Sequence, residues 1–133
     1  MNENDLILKS VDYAIYLINE GESGEVFNPF VIYNDDIKMF ADSLPGDNNG
    51  RSIERAKDFI KSLKDKADFA ILCGDGFFET GGVKHDAVIT EVYIKDRKEG
   101  ESYATIYERK DGTDKVKTEG NVKLTKYIPN ILM

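Results

Sequence analysis

At Asp68 the hydrophobic pattern of this chain changes period, and that change limits what the chain can fold into. Just before it, residues 52–67 read "SIERAKDFIKSLKDKA". Ile53, Ala56, Phe59, Ile60, Leu63 and Ala67 recur there at three- and four-residue spacing, which predicts an amphipathic helix with Ser52 as its N-cap. After Asp68 apolar residues recur at every second position, and short glycine-bearing breaks interrupt them at Thr80-Gly81-Gly82, Lys98-Glu99-Gly100 and Asp111-Gly112-Thr113. The spacing predicts four strands over about 69–79, 83–95, 102–110 and 115–128, and breaks this short predict antiparallel pairing of neighbours.

The first half of the chain adds a helix and a hairpin. Residues 5–20, "DLILKSVDYAIYLINE", carry Ile7, Val11, Ala14, Ile15 and Ile18 on one stripe. Asn4 or Asp5 can cap the start, and Gly21 and Gly24 are expected to stop the helix. In "FNPFVIYNDDIKMFAD", Phe30–Tyr33 suit a pleated strand, Asn34-Asp35-Asp36 a tight turn, and Pro29 the start of a strand.

The order is therefore helix, strand, strand, helix and four strands. This predicts an α+β fold over residues 1–133 as one domain, with both helices on one face of a mainly antiparallel sheet. The element order is similar to that of the small roadblock and longin-like α+β scaffolds, a likeness of order alone. On this reading Ile60 and Leu63 pack beside Val122 and Leu124, because Val116, Val122, Leu124 and Ile128 share even positions.

Charge and cysteine content restrict environment and partners. One cysteine among 133 residues makes no internal disulfide, and "MNENDLILKS" lacks the basic start and apolar run of a signal peptide. No apolar stretch approaches the roughly 20 residues that span a bilayer. A soluble, cytoplasmic protein is expected. The net charge is -7, with ten acids against two bases in residues 1–50 and nine bases against seven acids in residues 95–133. Nucleic-acid binding needs a basic patch, which the acidic first half disfavours. An acidic face can attract a basic protein partner, or the charge can serve solubility alone.

The only cysteine and the only histidine, Cys73 and His85, both lie in "ILCGDGFFETGGVKHDAVITEV". A catalytic cysteine needs a base in reach and surroundings that stabilise its thiolate. Cys73 instead shares an apolar strand face with Phe69 and Ile71, beside Asp68 and Asp75, and a hairpin turning near Gly81 separates it from His85 by about 13 Å. A buried, unreactive thiol is expected. One histidine and one cysteine make a poor zinc set, "LPGDNNGRS" fails the calcium-loop register, and "DGFFETGGV" lacks the Lys-Ser or Lys-Thr of a phosphate loop. "GRS" before the second helix leaves an anion site or an ordinary capped loop. These absences predict no metal, no cofactor and no catalytic residue.

The remaining feature is aromatic. The chain has seven Phe, seven Tyr and no Trp. Tyr93, Tyr103 and Tyr107 fall on neighbouring strands where antiparallel pairing can bring them onto one face, with Lys95, Arg97, Arg109 and Lys110 at the rim. The reading drawn is a non-enzymatic module acting by protein–protein contact, as a homodimer or as an antagonist of a basic partner. Tyr93, Tyr103, Tyr107 and Arg109 are its interface candidates. The alternative is an enzyme or small-ligand binder with a pocket between helices and sheet near Cys73.

Overall fold

The computed structural model describes residues 3–20, 28–40, 49–110, 112 and 115–132, with only the backbone described at 49–51 and 119–120. The elements are α1 (Glu3–Glu20), β1 (Phe30–Tyr33), β2 (Asp36–Met39), α2 (Asn49–Ser62), β3 (Phe69–Thr80), β4 (Val83–Ile94), β5 (Glu99–Arg109) and β6 (Val116–Pro129). Among the described residues they form a six-stranded sheet in the order β2-β1-β3-β4-β5-β6, and every neighbouring pair is antiparallel. The α+β class and the element order are those predicted. After α2 the chain crosses back to lay β3 against β1, then meanders to the far edge.

Turn chemistry sets these boundaries. Gly81 and Gly82 at φ 58 and 76 make the two-residue turn that pairs Thr80 with Val83, a left-handed pair of positions that glycine fills at no steric cost. Asn34 at φ 48 turns β1 into β2. The third turn sits earlier than expected, with Asp96 at φ 69 and Arg97 N–H donating to Ile94 O at 3.2 Å, so Gly100 belongs to β5. Ser52 does not cap α2; the helix already begins at Asn49 and Ser52 lies buried within it. Gly21 and Gly24, expected to end α1, lie outside the described residues, as do Asp111 and Thr113 of the last break and residues 41–48 of the loop before α2.

The helices lie on opposite faces of the sheet, which corrects the expectation of one shared face. Residues paired in register project from the same face. Phe30 pairs with Cys73 and Ile32 with Ile71, which in turn faces Val92; against these α1 buries Ile7, Val11 and Ala14. Val31 pairs with Leu72 and Tyr33 with Ala70, which faces Tyr93; α2 covers that side with Ala56, Ile60 and Leu63. The physical reason is in the strands themselves. Phe30–Ile32 and Ala70–Cys73 are apolar at every position, and a strand apolar on both faces needs cover on both.

Ile60 and Leu63 consequently pack with Leu132 and Tyr93, not with Val122, which joins the α1 side, nor with Leu124, which is 45% exposed. The even-position alternation of β6 holds from Val116 to Leu124 and fails at Ile128, because the β5–β6 register shift between Ser102 and Tyr103 sets one β5 residue against two of β6; the shift between Thr105 and Tyr107 sets two against four and keeps the parity. Val122 opposes Thr105 and Leu124 opposes Tyr103 on the α1 face, whereas Ile128 opposes Gly100 on the α2 face. At the other end of β6 the Asn19 amide completes the contact with α1. It accepts from Val116 N–H at 2.7 Å and donates to Val116 O at 3.2 Å, imitating a strand partner.

Candidate functional site

The three tyrosines do not meet on one face. Tyr93 lies on the α2 side, 2% exposed, and its hydroxyl donates to Glu91 Oε2 at 2.6 Å. Lys57 of α2 reaches the other oxygen of Glu91 at 3.8 Å. Tyr103 and Tyr107 lie on the α1 side, half-buried against its cluster. Tyr103 donates to Glu101 Oε2 at 2.9 Å and Tyr107 to Asp75 Oδ1 at 2.7 Å. Burial, then the accepting carboxylate, raises all three phenols above the ordinary tyrosine value. The open aromatic face expected from the sequence presupposed one uncovered side of the sheet, and α1 and α2 cover one side each. Arg109 ends β5 opposite Val116, exposed, on the face of Tyr107.

Two polar clusters flank α1. At its start Arg97 Nη1 lies 2.9 Å from Glu3 Oε2 and 3.3 Å from Glu101 Oε1, tying the helix to the β4–β5 turn and to β5. Burial, with Glu101 close by, raises Glu3 above the usual carboxylate range despite the guanidinium. Farther along the sheet Asp75 is raised mainly by burial and also by Asp86, while the Tyr107 hydroxyl opposes the shift. Among the described residues no group of three or more His, Cys, Asp or Glu side chains is placed to hold a metal ion.

Cys73 is fully buried under α1, its sulfur 3.8 Å from Thr90 Oγ1, and burial pushes the thiol up to about 11. It pairs in register with Thr90, whereas His85 pairs with Phe78 five positions along and projects from the opposite face. This is a core thiol with no base in reach. The "GRS" segment starts inside α2, and the loop before it lies outside the described residues.

What the structure gathers is apolar surface. Among the described residues Leu8, Tyr16, Ile37, Met39, Phe77, Val83, Leu124 and Tyr127 are the exposed large apolar side chains. Leu8 and Tyr16 belong to α1 itself. Register places Ile37, Met39, Phe77, Leu124 and Tyr127 on the face that α1 covers, with Val83 on the other. Leu8 and Ile7 overhang a groove of about 570 Å³ whose other wall is Tyr103, Val122 and Lys123; Leu124 and Tyr127, the latter 61% exposed, continue that wall along β6.

Charge is mixed on both faces: Arg109 and Lys84, whose Nζ lies 4.1 Å from the Phe77 ring centroid, share the α1 face with several acids, and Glu91 and Glu108 lie on the α2 face. Asp5 and Asp12 stand exposed one turn to either side of Leu8, and Asp75, Glu79 and Asp86 project from the α1 face. Lys117, Lys123 and Lys126 oppose Glu108, Ala104 and Ser102 on the α2 face. Sequence reasoning missed this patch because Leu8 and Tyr16 stand off the apolar stripe of α1, and because β2 was read as an ordinary hairpin strand. The offset of Leu8 from the Ile7–Val11–Ala14 stripe was the signal available. No helix among the described residues is long and apolar enough to cross a membrane. Comparison with protein-family models, with curated proteins and with solved structures finds no match.

Proposed function

We propose that the protein is a non-enzymatic module, acting as one domain in the cytoplasm, whose α1-bearing face docks on a basic protein partner. The observation that carries this is the one-sidedness of its exposed apolar residues. Single exposed apolar residues are ordinary on any protein, but a contiguous set with a charged border is the usual mark of a contact surface. Leu8, Leu124 and Tyr127 supply such a set beside a groove, and Asp5 and Asp12 border it. Acids at the rim steer and orient a basic partner, while the buried apolar centre holds it. An antagonist of a basic enzyme or toxin is one form of such a module. The single buried thiol suits a reducing compartment.

The test compares capture of a partner by the tagged chain, by Leu124→Ser with Tyr127→Ser, and by Lys61→Ser on exposed α2. Capture of a basic protein by wild type and by the α2 variant, with loss in the double variant, supports the reading. Equal capture by all three, or capture of acidic proteins only, overturns it.

A further inference from the structure

Among the described residues the two edges of the sheet, β2 and β6, are built differently. β6 carries both register irregularities and the lysines Lys117, Lys123 and Lys126, devices that discourage another strand from pairing with an edge. β2 has none of them except Lys38. It pairs with β1 in unbroken register, contains no proline and is exposed at all four positions. Its outward backbone groups can be identified. Tyr33 and Asp36 close a two-residue turn, so Asp36 and Lys38 exchange their hydrogen bonds with β1. Phe40, of the same parity, donates to Pro29 O at 2.8 Å. The N–H and C=O groups of Ile37 and Met39 therefore point away from the sheet.

We infer that the protein pairs with a second copy of itself through β2, antiparallel, in the register that sets Ile37 opposite Ile37 of the second copy. Only registers that bring Ile37 and Met39 against residues of equal parity match outward donors to outward acceptors. One is centred on Lys38 and opposes two lysines. Those centred on Asp36 and on Met39 oppose two aspartates or set Lys38 against Phe40, without an ion pair. The one centred on Ile37 opposes Asp36 of each copy to Lys38 of the other, so that two opposite-charge pairs flank the axis. These fall at non-hydrogen-bonded positions, where facing side chains come closest. Lys38 is already on the proper side, its Nζ 4.6 Å from the Phe59 ring centroid on the α2 face. On the α1 face Met39 of the second copy lies opposite Asp35 and diagonal to Ile37, at a groove of about 320 Å³ whose lining is half apolar (Leu6, Ile32, Ile37 and Phe69) and half polar, Asp35 included. The arrangement is isologous and closes at two copies. It uses a different edge from the Leu8–Tyr127 patch and stands whether or not that patch binds a partner.

The test is the mass of the full chain by sedimentation and light scattering over a wide concentration range. Wild type is expected to approach two copies as concentration rises. Asp36→Lys or Lys38→Asp alone replaces two opposite-charge pairs with like-charge pairs and should weaken the dimer about tenfold, and the two together should restore it. Ile37→Pro removes an N–H that β1 does not use, so it should leave the circular dichroism unchanged and abolish the dimer. A wild type that stays at one copy throughout overturns the inference. So does a dimer indifferent to the single charge variants, or one that the exchanged pair does not rescue. The charge series decides the matter even where Ile37→Pro fails to fold.

Discussion

Replacing Gly100 by alanine isolates one packing contact whose sign can be worked out beforehand. Gly100 is extended, so alanine meets no backbone strain there. On that ground alone the substitution should stabilise by about 0.4–1 kcal/mol, because alanine gives up less freedom on folding. Space reverses the sign. A Cβ at Gly100 would lie 2.9 Å from Tyr93 Cδ1, 3.0 Å from Cε1 and 3.1 Å from Val92 O. The Tyr93 ring is 2% exposed and its hydroxyl is fixed on Glu91, so it has nowhere to retreat, and the carbonyl belongs to a paired strand. Overpacking of this kind costs about 1–3 kcal/mol. Urea unfolding should register it as a fall in midpoint of roughly 1 M at an unchanged slope, given an m-value of about 1–3 kcal/mol/M. Repeating the substitution in Tyr93→Leu should shrink the loss, because the two residues then no longer compete for one volume. A midpoint that stays put or rises in Gly100→Ala would refute the packing of Tyr93 over Gly100.

Ile60→Ala should cost about 2–5 kcal/mol, because Ile60 is fully buried, and should add to Val122→Ala within about 0.5 kcal/mol, since the two lie on opposite faces; strong coupling in a double-mutant cycle would restore the one-face arrangement. A thiol reagent should modify Cys73 slowly near pH 8 and rapidly in denaturant, since burial holds the thiol at about 11; fast modification of the native protein would contradict it. Burial keeps Asp75 protonated above the ordinary carboxylate range, so the folded chain binds more protons than the unfolded one in that window and the Asp75 contribution to stability falls as pH rises through it. Asp75→Asn, whose side-chain carbonyl can still accept from Tyr107, should flatten that fall in urea unfolding series run from acid to neutral pH; an unchanged slope would show that Asp75 is not the group responsible.

The strands after Asp68 were legible because period-2 alternation and glycine turns are local signals, and the observed limits depart from the expected ones mainly at β5. There Gly100 was read as a turn residue, although its lack of a side chain serves the ring of Tyr93, a partner no local pattern reveals. The opposite placement of the helices was written in Phe30–Ile32 and Ala70–Cys73, whose unbroken apolar runs ask for cover on two sides. The parity of β6 was not legible, because a bulge adds residues to a strand without changing the look of its alternation. The candidate site was the least visible part. Tyrosine composition pointed to an aromatic face, yet each hydroxyl answers to a carboxylate on a nearby strand position, and exposure, which decides whether a surface can dock, depends on how Leu124 and Tyr127 stand beside a helix far away in sequence.

The clasp between Asn19 and Val116 has a consequence during synthesis. α1 is the first of the described elements to leave the ribosome, and β6, which receives its amide, is the last strand. At about 5–20 residues per second, roughly 5–20 seconds separate the two ends of that bond. For the first part of that interval, until β3 and β4 are made, Ile7, Val11 and Ala14 lack most of the sheet that covers them, and β1 waits for β3 before it gains its inner neighbour. The nascent chain thus shows its most apolar helix to solvent before most of the surface that will hide it exists. Slower translation between Glu20 and Phe69 is therefore expected to lengthen that exposure.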